Sequence, residues 1–183
     1  MSKDNSKRKL SEKEIRRFRA RREICFAILF EMTFTDDTAE EILENAKISG
    51  VINSIYTDNK TAEHSDDNPV VSDSDIQGEN EQGDQNEYPN EDKYILHMLN
   101  LFVENKDEVD DTISKYIKGW TIDRLSRVTL SVLRFAVTEL KYTDTSEKVA
   151  INEAVELSKK YSTPNDARFV NGVLGSVAKE LQE

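Results

Sequence analysis

The chain is poor in the residues most chemistry needs. Its 183 residues hold one cysteine and two histidines. Cys25 alone excludes an intramolecular disulfide and fits a reducing compartment. It lies between Ile24 and Phe26, so a packed thiol is expected. His64 and His97 stand apart, and no Cys/His/acid spacing of a metal site occurs. No glycine-rich phosphate loop is present, and no serine sits in a nucleophile context. These absences argue against an enzyme and leave no catalytic residue, metal or cofactor to assign. No run approaches the roughly 18 apolar residues that cross a bilayer. The basic N-terminus lacks the cleavage pattern of a signal peptide. The expected setting is the cytoplasm, without membrane contact. No segment shows strand alternation either, so the expected fold is all-α.

What the chain does have is charge, and it is segregated. The formal net charge is −11. Residues 57–92 hold twelve acids against Lys60 alone, which accounts for all of it. This stretch has almost no apolar content beyond Val70, Val71, Ile76 and Tyr88, too little to offset its ordering entropy. It reads as a disordered acidic insertion, either a solvated linker or a segment that folds back on the basic arm as a mimic of nucleic acid. Residues 1–22 are the opposite: ten bases against three acids give a local charge of +7. That is an electrostatic footprint for an anionic partner.

Along the chain, residues 1–10 read as a disordered basic arm. A single helical domain then occupies 11–56 and 93–183, with about seven helices. Ser11 and Glu14 form a capping box, and Ile15, Phe18, Arg22 and Leu29 carry the first helix to about Thr33. Its arginine-rich half is expected to be exposed and its far half buried. Thr38 and Glu41 form a second capping box, with an interruption expected near Ser49-Gly50. Helical spacing resumes at Lys93, and Gly119 stops the helix that contains Val109 and Ile113. Thr121 is the expected cap of the next one. There Leu125, Val128, Val132, Leu133, Ala136, Val137 and Leu140 share a face, with Arg124, Arg127, Arg134 and Glu139 off it. The last two helices, from Lys148 to Leu181, meet at a turn with Thr163 as N-cap and Pro164 at the first helical position. Asn171-Gly172 interrupts the second of them. Since a mid-helix glycine costs roughly 1 kcal/mol against alanine, close backbone approach is the reading for Gly172.

Arg16, Arg17, Arg19, Arg21 and Arg22 cannot share one helix face, since neighbours point about 100° apart. They are expected to wrap one helix end in guanidinium. Such forks suit phosphate oxygens and stack on unpaired bases, which favours single-stranded nucleic acid over a protein partner.

The segments VAINEAVELSKKY and FVNGVL resemble the C-terminal signature of the bacterial NusB transcription antitermination family. DRLSRVTLSVLRFAVTELKY and RARREICFAILFEM resemble its preceding and N-terminal helices, so the likeness spans 11–56 and 93–181. It implies two small packed helical subdomains and binding of single-stranded boxA RNA together with NusE, a small-subunit ribosomal protein. NusA, NusG and RNA polymerase complete the assembly, which reads through terminators in ribosomal RNA operons. By resemblance the RNA surface takes Arg17, Arg19, Arg21, Arg22, Asn165, Asp166, Arg168 and Phe169, beside Arg16 of the same cluster. The NusE surface takes Arg124, Arg127 and Thr129, with Thr129 where a carboxylate is expected. Two other readings stand beside this one. One is a helical homodimer or protein-interaction module without RNA binding. The other is the accessory domain of a ribosomal RNA methyltransferase, which the lack of a cofactor-binding βαβ pattern disfavours.

Overall fold

The computed structural model describes residues 11–61 and 89–182, and among them every regular element is helical. The acidic stretch's expected disorder and the basic arm both fall outside the described residues, apart from the ends of the stretch. Helix α1 (Glu12–Glu31) starts at the Ser11 capping box, and α2 (Ala39–Ile48) starts at the one from Thr38. The interruption between α2 and α3 (Val51–Thr61) is real: Gly50 sits at φ +79°, left-handed backbone that glycine adopts without Cβ strain. Helix α4 (Pro89–Glu104) begins on a proline, and α5 (Lys106–Tyr116) ends shortly before Gly119 at φ +78°. Then come α6 (Arg127–Tyr142), α7 (Glu147–Tyr161) and α8 (Pro164–Leu181).

There are thus eight α-helices among the described residues, one more than the sequence suggested. The acidic stretch is also shorter at its edges, since residues 57–61 and 89–92 are helical. Helix α6 starts later than expected. Thr121 makes no side-chain cap bond and opens only a 3-10 turn, Ile122–Arg124. Ser126 wins the cap because its Oγ accepts from the Thr129 N–H at 3.0 Å. Trp120, in the loop before that turn, is 56% exposed.

One continuous core runs through the molecule. Helices α1–α4 pack on one another, as do α5–α8, and α6 joins the two groups by lying against α1 and α4. The apolar stripe of α6 accounts for its place: Val132, Leu133, Ala136 and Val137 are fully buried. Cys25 is buried too, and desolvation, then the nearby Glu139 carboxylate, push its thiol well above the usual range. Glu139 is not off the core face as expected. It is 1% exposed, enclosed between α1 and α6.

Gly172 overturns its sequence reading. It lies exposed on the outer side of α8, and a Cβ placed there would meet nothing within 4 Å. No close approach by the described residues explains it.

Candidate nucleic-acid interface

The arginines of α1 do not form an exposed sleeve. Arg21 and Arg22 are only 3% and 4% exposed. Arg21 lies over the Phe18 ring at 4.5 Å and the Tyr94 ring at 4.1 Å, a cation–π sandwich between α1 and α4. Arg22 donates through Nε and Nη2 to Glu139 Oε1, each at 2.8 Å. A buried charge pair is costly to break, because the partner is left unpaired in low dielectric. Arg19 is partly buried and donates to Glu153 of α7 at 3.2 Å. Arg16 stays at the surface, with only an i,i+4 bond to Glu12 at 3.2 Å. Arg17 is half-buried on the same turn. The physical reason is periodicity: a helix whose arginine-bearing half is flanked by α4, α6 and α7 turns consecutive arginines inward as readily as outward.

The start of α8 is built differently. Thr163 Oγ1 accepts from the Asp166 N–H at 3.2 Å, and Asp166 Oδ2 accepts from the Thr163 hydroxyl at 2.8 Å. The Ser162 hydroxyl also donates to Asp166. That bond, then those from Thr163, hold the Asp166 carboxyl below the usual carboxylate range. Asp166 is thereby committed to capping. Asn165 and Arg168 point outward, while Phe169 is half-buried against the core.

Long-range bonds fix where this corner lies. Arg19 meets Glu153, and Glu23, one turn on, meets Lys160 and Tyr161. Helices α1 and α7 therefore run in the same direction. The α7–α8 corner sits beside the middle of α1, not beside its basic start. From Arg16 to Glu23 is seven residues, about 10 Å of helix.

From the corner toward the C-terminal end of α1, away from Arg16, the structure displays aromatic side chains that the sequence reading passed over. Tyr161 lies against Phe26 at 5.0 Å between ring centroids, Phe26 against Phe30 at 6.3 Å, and Phe30 against Phe34 at 5.0 Å. The row ends under the Arg127 guanidinium, 4.0 Å from the Phe34 ring. Phe34 is 59% exposed, Tyr161 40%. The spacing 26, 30, 34 was the available signal. It was absorbed into the core face because half of the row is core. Exposed aromatic faces and guanidinium planes are the surfaces on which unpaired bases stack.

Of the expected partner-binding residues, Arg124 and Arg127 are exposed, and Arg127 also donates to the Thr33 carbonyl at 3.1 Å. Thr129 is 2% exposed, and its hydroxyl accepts from Ser126 at 2.8 Å, so its side chain faces inward. Among the described residues, no three His, Cys, Asp or Glu side chains are placed to hold a metal ion, and no helix is long and apolar enough to cross a membrane.

Comparison with known proteins gives a consistent result. The sequence pattern of the NusB family matches residues 51–179. The chain is 36% identical over 160 residues to the transcription antitermination protein NusB of Clostridium botulinum (strain Kyoto / Type A2), covering 87% of this chain and 97% of that one. It is 34% identical over 162 residues to the NusB of Acetivibrio thermocellus, covering 88% of each. Among solved structures, T. maritima NusB aligns with a TM-score of 0.58 at 25% identity over 94% of each chain. A complex of antitermination factors NusB and NusE with dsRNA aligns at 0.60, with 21% identity over 91% of this chain and 98% of that one, a likeness of fold.

Proposed function

The chain belongs to the NusB family, and from that premise we propose that it is a cytoplasmic, non-catalytic adaptor that binds single-stranded boxA RNA together with NusE in transcription antitermination. NusA, NusG and RNA polymerase are the rest of the proposed assembly. The observation that carries the RNA reading is the surface from the α7–α8 corner to the start of α1. There Asn165 and Arg168 are exposed beside Tyr161 at the corner, and the Arg16 side chain is partly exposed at the start of α1. Exposed guanidinium groups neutralise phosphates, and aromatic faces accept bases in any sequence. In this reading Arg16, Arg17, Asn165 and Arg168 meet the strand. Arg19, Arg21 and Arg22 hold α1 in its place, Asp166 caps α8, and Phe169 anchors it. Arg124 and Arg127 face NusE, without Thr129.

Fluorescence anisotropy with a boxA-like strand tests this directly. Affinity should fall steeply with salt, as released counterions require. Absence of binding with NusE present would sink the reading.

A further inference from the structure

Glu23 is a carboxylate in an awkward place. It lies in the middle of α1, its side chain 5% exposed, where an unpaired negative charge would be costly. Three donors converge on it. Lys160 Nζ donates to Oε1 at 2.6 Å, the Tyr161 hydroxyl donates to the same oxygen, and Asn59 Nδ2 donates to Oε2 at 3.1 Å. Two of these are the consecutive last residues of α7 before the corner, and the third lies near the end of α3.

Lys160 and Tyr161 point about 100° apart on a helix. For both to reach one oxygen, the last turn of α7 must sit at one rotation and one height against α1. The Tyr161 ring adds a second constraint by lying on Phe26. Burial and the Glu23 carboxylate push the Tyr161 hydroxyl well above its usual range, so it stays a donor. The next residue, Ser162, donates to Asp166, which caps α8. A continuous series of bonds thus leads from Glu23 through Tyr161 and Ser162 to the helix start that displays Asn165 and Arg168.

We infer that Glu23 is a positioning residue for RNA binding: it touches no RNA, and it sets the α7–α8 corner at the place along α1 where Arg168 and the surface around Arg16 engage one strand. This rests on the RNA-binding reading above.

The sign of one substitution separates positioning from mere proximity. A bystander carboxylate close to a phosphate site repels RNA, so neutralising it tightens binding. A positioning carboxylate does the reverse. Glu23→Gln keeps the side-chain size but sets an amide against the Lys160 ammonium. The expected result is an affinity for boxA-like RNA about tenfold weaker at fixed salt, the scale of one lost charge-assisted hydrogen bond, with helical circular dichroism retained. Tyr161→Phe removes one donor without changing charge. It should also weaken binding, and the double variant should bind no worse than the weaker single one, because both act through one corner. Should Glu23→Gln fail to fold, Tyr161→Phe decides by the same readout. Amide chemical shifts of residues 162–169 give a readout independent of RNA. If the unsubstituted protein binds no RNA, the RNA reading fails, and unmoved shifts in both variants would overturn the positioning role as well. Unchanged or tighter RNA binding by folded Glu23→Gln overturns it outright.

Discussion

Arg22 and Arg16 are the same residue type on one helix, six positions apart, with opposite fates. Removing Arg22 strands the 1%-exposed Glu139 side chain without its guanidinium. Arg22→Ala should therefore cost about 3–5 kcal/mol in denaturant unfolding. Arg16→Ala should change stability by less than about 0.5 kcal/mol. Its effect belongs instead to binding, where the slope of log affinity against log salt should become shallower by about one. Nothing local distinguishes these two arginines, since what decides is a glutamate 117 positions away. Titration offers a second check. Asp166 has a folded-state pKa lowered by Ser162 and Thr163. A lowered value contributes stability above the unfolded pKa of about 3.9, and that stability is lost as pH falls through the folded value. Acid unfolding should therefore show a progressive loss below about pH 4, with a flatter acid limb in Asp166→Asn.

At the scale of helices, the sequence is most legible where the physics is local. The capping boxes at Ser11 and Thr38 and the N-cap at Thr163 each involve four neighbouring residues and formed where expected, and the structure adds Asp166 to make the last a capping box too. The start of α6 was misjudged because two caps compete, and the choice turns on which hydroxyl reaches a free N–H. Ser126→Ala should consequently destabilise the protein by about 1 kcal/mol, and Thr121→Ala far less. The glycines make a paired test. Gly172 is helical with open space around it, so Gly172→Ala should raise stability by about 0.5–1 kcal/mol. Gly50→Ala meets no clash but must hold φ +79°, so its melting temperature should fall. Inverting this order would mean that something outside the described residues packs on α8.

For the whole molecule, the all-helical class and the order of helices could be read from 3.6-residue periodicity, which needs no knowledge of neighbours. The candidate interface could not, because Glu23, Tyr161 and the aromatic row come together only through packing between distant helices. Residues 62–88 hold nine acids and no lysine or arginine. Their deletion should tighten RNA binding at low salt, and the gain should shrink as screening shortens the reach of charge. The buried pairs of α1 also bear on how the chain is made. Arg22 waits for Glu139, Arg19 for Glu153 and Glu23 for Tyr161, separations of 117, 134 and 138 residues. At a synthesis rate of about 5–20 residues per second, that delay is roughly 6–28 seconds. Helix α1 is thus synthesised well before its buried charges can find these partners. Until then α1 can pack only on α2, α3 and α4, and the faces that carry Arg19, Arg22 and Glu23 stay open until α6 and α7 have been synthesised.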